Sequence, residues 1–562
     1  MIGFMNGHDE LISLADRYWD SFLEAFPSQA TLLGDRRFDD RIEDPSEAAE
    51  QRLLTAHRGL LAEVDAIDPA GLDATDRVTR SLLRAELTGS VDHLEWRPVE
   101  LASDQMDGVH AELLMIAPQT NAPEPANALA LLERYKQFGT MLDRAVERFR
   151  AGLAAGRTPP RITIERSLNQ LDGYLASDIA SDPFASLGGP ANWDGEAAWR
   201  DQLVDVVRDG IRPAFQRYRD ALAADLRPAS RPDDKPGLCW LGGDGEDIYR
   251  RELRRHTTLP DLGAEEIHEL GLSELKLLRD EYAEVGQRLF GTGDVAEIFR
   301  RLRQDPALRY TSGAEIMADA RAALAAANAE MGNWFGRLPR ESCDIVEIPE
   351  FLAADSPAAY YFPPAADGSR PGAYFVNVHD PASKHRYETT SIAYHEAIPG
   401  HHLQLTIANE LDHLPRFQRQ SFANTAFVEG WALYTERLAD EMGLYADDLG
   451  RVGMLAGDSW RSCRLVVDTG LHAKGWTRQQ AIDFMIANAP VGVQEITTEV
   501  DRYIGMPGQA VGYKVGQLEI RRQRRQAAER LGAAFDIKAF HDVVLGSGSV
   551  SLPVLRELVA TL

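Results

Sequence analysis

Apolar side chains in this chain recur at three- and four-residue steps over stretches long enough to constrain its architecture. Across residues 128–153, Leu131, Tyr135, Phe138, Leu142, Val146 and Phe149 trace one face, widened by Leu132 and Met141. That spacing follows the 3.6-residue turn and leaves one stripe to be buried. Residues 11–26, 51–67, 266–289, 314–335 and 517–531 carry the same pattern. The expected fold is mostly α, a large multi-helix body, and the absence of a fixed-period repeat argues against a solenoid. One strand signal interrupts the helices. Residues 358–363 and 372–377 are rich in aromatic and β-branched side chains and flank a turn at Asp367-Gly368, so a small β hairpin is expected. Two breaker-rich stretches, 181–194 and 227–237, stand out. The second separates an expected N-terminal helical half, 1–235, from a C-terminal half, 236–562, unless the two form one continuous domain.

Charge and cysteine usage narrow the function. With 60 Lys and Arg against 87 Asp and Glu, the formal net charge is −27, the wrong sign for a nucleic-acid surface. No uninterrupted apolar stretch reaches the roughly 18 residues a membrane span needs. Residues 1–14 include Asp9 and Glu10 and lack a basic segment followed by an apolar one, so a cytoplasmic location is expected. The three cysteines, Cys239, Cys343 and Cys463, are too scattered for a disulfide framework or a Cys-rich metal site. A homodimer is left open.

The chemistry concentrates in a histidine cluster. Six of the 14 histidines, His379, His385, His395, His401, His402 and His413, fall within 35 residues. Imidazole suits zinc, and a three-ligand site leaves a position for water. The simplest arrangement is His-Glu-x-x-His on one helix, with Glu as general base. Here Pro399 stands four residues after His395, and a regular helix would carry His401 and His402 too far along. Pro399-Gly400 is, however, a pair expected where a helix is broken or bulged. Bulging out two residues restores His-Glu-x-Gly-His, with His395 and His401 as ligands and His402 as the rival. The chain supplies its own contrast: His268-Glu269 begins the same way but runs into Leu272 and reads as an ordinary amphipathic helix. A third ligand should come from another helix. Glu429, in an apolar setting where a lone carboxylate is costly, is the candidate. Glu436, seven residues on, reads as a supporting or surface residue.

Three segments, His395-Glu-Ala-Ile-Pro-Gly-His-His-Leu-Gln404, Phe427-Val-Glu-Gly-Trp-Ala-Leu-Tyr434 and Pro507-Gly-Gln-Ala-Val-Gly-Tyr-Lys-Val-Gly516, resemble those of a bacterial family catalogued as domain of unknown function 885. Residues 540–548 and Leu552-Pro553 fit it as well. Such proteins look like distant relatives of Taq-type helical zinc carboxypeptidases and thimet-type oligopeptidases. The resemblance implies a metallopeptidase-like helical fold with a deep central cleft, a short edge strand and one zinc ion at the floor. It carries the roles of ligand to His395, His401 and Glu429, of base to Glu396, and of an oxyanion donor to Tyr513, with Tyr503 the weaker candidate. This chain departs from those relatives by two extra residues around Ile398-Pro399.

The remaining candidates concern substrate. Strand 372–377, ending at Asn377, offers backbone to an extended peptide. Arg464, Asp468 and His472 share one predicted helix face; Arg464 suits a substrate carboxylate and Asp468 would orient His472, although an internal salt-bridged stripe explains them equally well. His402, if it is not a ligand, joins Asn377, Arg464 and His472 as substrate-binding. Lys514 could meet an anionic terminus or face solvent, and His541 reads as a hydrogen-bonded core residue. The expected activity is zinc-dependent hydrolysis of short peptides, of carboxypeptidase, dipeptidase or oligopeptidase type. The alternatives are hydrolysis of a non-peptide amide or ester, and a non-catalytic helical binding protein with a degenerate metal site.

Overall fold

The computed structural model describes residues 7–349, 353, 357–364, 371–421 and 423–562. It is mostly α, as the periodicity predicts. The stripe of residues 128–153 is carried by two helices rather than one, Pro125–Tyr135 and Phe138–Ala154. At the break, the Gln137 side-chain amide donates to the Glu133 carbonyl (3.0 Å) and to Asp40 (2.7 Å), so a carbonyl left over by the interruption keeps a partner.

Two apolar cores organise the helices. The smaller is formed within residues 109–226, around Phe138, Phe149, Phe184 and Phe215. The larger joins Leu11, Trp19, Leu60 and Leu83 to Ile267, Tyr374, Trp431 and Val466, and so draws on both sides of the 235/236 boundary.

Seven helices of the larger core matter for the site: α1 (Ala264–Phe290), α2 (Arg386–Glu396), α3 (His401–Asn409), α4 (Thr425–Glu441), α5 (Asp448–His472), α6 (Val493–Gly505) and α7 (Gly512–Leu531). Helices α4 and α7 approach so closely that their contact is made of backbone. A Cβ on Gly516 would lie 1.7 Å from the Ala426 carbonyl oxygen, and one on Gly430 would lie 2.5 Å from Gly516. Glycine is demanded here for clearance rather than for torsional freedom. This contact brings the turn carrying Glu429 against the turn carrying Tyr513.

A three-stranded sheet precedes the site, with β1 (Cys343–Glu347), β2 (Ala359–Phe362) and β3 (Gly372–Val376) in the order β1-β3-β2. The expected hairpin partners, β2 and β3, pair antiparallel, with Phe362 opposite Ala373; its turn at Asp367-Gly368 lies outside the described residues. Strand β1 adds a parallel partner on the other side of β3. That corrects one expectation: β3 is central, both of its edges are hydrogen-bonded within the sheet, and it has no free backbone for an extended peptide.

The glycine argument has a sign that can be checked. Gly516→Ala should destabilise the protein by about 3 kcal/mol or more, because a backbone oxygen must move. Gly59→Ala, at an exposed helix position with open space around its Cβ, should stabilise it by about 0.5–1 kcal/mol. Denaturant unfolding of the two variants against wild type measures both.

Candidate metal centre

Helix α2 stops at Glu396, and residues 397–400 interrupt the helix before α3 starts at His401. Three features hold the interruption. Gly400 sits against the end of α2, where a Cβ would come within 1.9 Å of the His395 carbonyl oxygen. The His402 N–H donates to the Ala397 carbonyl (2.9 Å). The Trp431 indole N–H, from α4, donates to the Pro399 carbonyl (3.0 Å). The two extra residues therefore break one helix into two instead of bulging a single one. The break turns the first residue of α3 back toward the last turn of α2.

As a result, His395 and His401 face each other, with ring centroids 4.9 Å apart and planes at 89°. Both imidazole Nε2 atoms approach the same carboxylate oxygen from α4: Glu429 Oε2 lies 3.6 Å from that of His395 and 3.5 Å from that of His401. Among the described residues this is the one group of three His, Cys, Asp or Glu side chains whose donor atoms lie within 4.8 Å of one another. A tetrahedral zinc with bonds of about 2.0–2.1 Å keeps its ligand atoms roughly 3.3–3.4 Å apart, close to the two separations found. The donor set of two neutral imidazoles and a carboxylate also suits zinc.

Burial works to lower the His395 pKa, but its bonds to Glu429 and Glu436 outweigh that and carry it up to about 9. Burial works to raise the Glu429 carboxyl, and the two imidazoles hold it well below the usual range instead. A divalent ion bound by these groups would displace the proton from His395.

Glu436 supports the trio. Its Oε1 lies 2.8 Å from His395 Nδ1, its Oε2 accepts from Ser391 (2.9 Å), and its backbone carbonyl accepts from Tyr445 (3.0 Å). Such a carboxylate fixes the tautomer and orientation of an imidazole whose other nitrogen faces a metal. Gly457 on α5 makes room for it: a Cβ there would lie 2.4 Å from Glu436 Oε2. The buried His401 Nδ1 has no such partner among the described residues.

Glu396, one residue after His395, is part-buried and accepts no hydrogen bond among the described residues. Burial raises its pKa, opposed by the nearby charges of His395 and His401. Tyr513, in the first turn of α7, is also raised by burial and then by the charge of Glu429. Its ring lies 4.3 Å from the guanidinium carbon of Arg464.

The other sequence candidates sit elsewhere. His402 uses both ring nitrogens, with the Tyr361 hydroxyl (2.9 Å) and the Glu341 carbonyl (3.1 Å), and is not a fourth donor of the trio. Asn377 is buried and clamps local backbone, donating to Ala353 and Pro357 and accepting from the His379 N–H. His472 is a core residue: it accepts from the Leu238 N–H (3.2 Å), its Nε2 meets the Tyr503 carbonyl (2.9 Å), and burial lowers its pKa to about 4. Asp468 does not orient it, but accepts instead from Tyr249 and the Gly508 N–H. Arg464 gives Nε to the Tyr503 hydroxyl and Nη2 to Glu499, 2.8 Å each, so it braces α6 against α5. Tyr503 is fully buried in that network. Lys514 is buried and pairs with Asp458 and Glu274. His541 is held by Tyr434 and the Trp334 carbonyl, a core residue as expected. His268, the contrasting His-Glu, hydrogen-bonds Thr469 on α5.

The helical body thus brings together a His-His-Glu donor trio with a glutamate next to the first histidine. The chain belongs to DUF885, described as "Bacterial protein of unknown function", whose pattern matches residues 27–559. Two solved structures share its fold. A "putative lipoprotein" from Colwellia psychrerythraea is 26% identical with a TM-score of 0.92, and the match covers 99% of each chain. A "putative lipoprotein of unknown function" from Shewanella oneidensis is 19% identical with a TM-score of 0.75, covering 98% of this chain and 99% of the other. No curated protein matches the chain. No described helix is long and apolar enough to cross a membrane.

Zinc affinity separates the roles of these side chains. Chelator competition should show a loss of at least about 100-fold for His401→Ala, no more than a few-fold change for His402→Ala, and about 10–100-fold for Glu436→Gln, the usual range for an outer carboxylate.

Proposed function

We propose that this protein is a zinc-dependent peptidase acting on short peptides. The observation that carries the reading is the convergence of His395, His401 and Glu429 on one point, with an unpaired glutamate, Glu396, next in sequence to the first ligand. His395, His401 and Glu429 would hold the ion. When bound, zinc supplies Lewis acidity, lowering the pKa of water toward about 7 and polarising a scissile carbonyl. The chain's own residues do the rest. Glu396, lifted by burial, takes a proton from the attacking water and returns it to the departing amine. Tyr513, whose raised pKa keeps the phenol protonated, donates to the oxyanion of the tetrahedral intermediate. A donor of this kind contributes roughly 3–4 kcal/mol where one has been removed. Glu436 holds the His395 ring in the tautomer that leaves Nε2 free.

The reading is tested by digesting a peptide library with zinc-loaded wild type and Glu396→Gln. Wild type should cleave, and Glu396→Gln should bind equal zinc but turn over at least about 100-fold more slowly. Equal turnover by the two proteins would remove Glu396 as base. Stoichiometric zinc with no cleavage of peptides by wild type would favour a non-peptide amide or ester, or a binding protein.

The setting of this activity is also a proposal. The Colwellia relative is described as a "putative lipoprotein", which supports a membrane-anchored or secreted location over the cytoplasmic one expected from residues 1–14. Fractionation of the native cells decides between them, and recovery in the cytosolic fraction would overturn the anchored reading.

A further inference from the structure

Arg461 lies one turn before Arg464 on α5 and differs from it in what its donors do. Arg464 gives two short hydrogen bonds, to Tyr503 and Glu499, and keeps one buried terminal nitrogen without a partner among the described residues. Arg461 is mostly buried, with a side chain 12% exposed, yet its guanidinium is nearly without partners. Its Nε has none among the described residues. One of its terminal nitrogens reaches only the Gly457 carbonyl of its own helix, at 3.5 Å, and the other stands 3.9 Å from Glu436 Oε1. Five N–H donors on a fixed fork, with one long bond between them, form an under-satisfied buried cation.

Its position gives that deficit a direction. The Glu436 oxygen nearest Arg461 is the one that meets His395 Nδ1, so a single carboxylate stands between the guanidinium and His395. On its other side its carbon lies 6.0 Å from the Tyr513 ring centre. The charge of Arg461 is felt by both His395 and Glu396. Gly457, Arg461 and Arg464 follow one another along a single face of α5, and the missing Cβ of Gly457 admits Glu436 to that face. Glu495 also feels the charge of Arg461 and forms no ion pair with it among the described residues. Burial and then the charge of Glu388 push Glu495 up to about 8, so it stays largely protonated near neutrality.

We propose that Arg461 binds the C-terminal carboxylate of a peptide whose scissile bond lies over His395, His401 and Glu429, which makes the substrate class peptides with a free C-terminus. A planar guanidinium matches a carboxylate with two parallel hydrogen bonds, and a neutral amide cannot replace it. Extended chain advances about 3.3–3.6 Å per residue, so the closeness of Arg461 to the trio places the cleaved bond one or two residues from that terminus. Because both ends of this contact are polar, a blocked terminus leaves the cation buried and unpaired, and so discriminates strongly. This inference rests on the peptidase reading for its substrate, but the anion site itself can be tested without turnover.

The experiment uses zinc-loaded Glu396→Gln, with and without Arg461→Ala and Arg461→Lys, and follows binding of N-acetyl-alanyl-alanine and of its C-terminal amide by calorimetry. Zinc content of each protein is measured alongside. The acid should bind about 10–100-fold more tightly than the amide. Arg461→Ala should remove that difference, and Arg461→Lys should keep part of it. Equal binding of acid and amide before Arg461 is changed overturns the inference, as does a preference that survives Arg461→Ala. Should Arg461→Ala lose zinc, the acid-to-amide ratio of the parent and of Arg461→Lys still decides. Wild-type cleavage of acid and amide peptides at equal rates would leave the peptidase reading standing and remove the carboxylate site. An Arg461-dependent preference in a protein that cleaves no peptide would do the reverse.

Discussion

One carboxylate oxygen of Glu429 is shared between two imidazoles, and much of the surrounding structure exists to make that sharing possible. His395 ends one helix, His401 begins the next, and Glu429 comes from a third. Three helices can converge this tightly only where their backbones nearly touch. Gly400 lets the chain sit against the last carbonyls of α2, and Gly430 with Gly516 lets α7 press against α4. Each glycine removes a side chain whose Cβ would fall within 2.5 Å of backbone. The site is thus set by close backbone approach rather than by the local spacing of a helical motif.

The second constraint is charge. Placing imidazoles and carboxylates together in the core is costly unless each charge has a counterpart. Glu429 is balanced by the two histidines, and His395 by Glu436 as well. Further out, Lys514 and Arg437 answer Asp458, and Arg464 and Arg502 answer Glu499. Arg461 differs from Arg464 in degree: it makes one long hydrogen bond and a 3.9 Å approach to Glu436, where Arg464 makes two bonds of 2.8 Å.

Much of this was legible in the chain. The helical stripes placed the long helices to within a few residues, and the aromatic alternation found β2 and β3. The convergence of His395, His401 and Glu429 follows the expectation from His-Glu before Gly-His and from the apolar setting of Glu429, although the spacing alone left His402 as a rival to His401. Other features were not. Strand β1 is five residues long and half exposed, too short for a period-two pattern to stand out. Asn377 and His472 were misplaced because a polar residue near a strand end or on a helix stripe looks the same whether it meets substrate or satisfies backbone. Only the Ala353, Pro357, Leu238 and Tyr503 backbone atoms beside them decide it. Arg461 and Arg464 share a helix face, and no spacing rule tells which of them has the more strongly engaged donors.

The claim on which the function depends is that His395, His401 and Glu429 hold a single zinc ion. X-ray absorption at the zinc edge of the zinc-loaded protein tests it most directly. The expected result is one zinc per chain, with two imidazole rings and light-atom donors at about 2.0–2.2 Å and an additional oxygen completing four-coordination. Sub-stoichiometric zinc after loading, a sulfur shell near 2.3 Å, or a spectrum without imidazole scattering would contradict it.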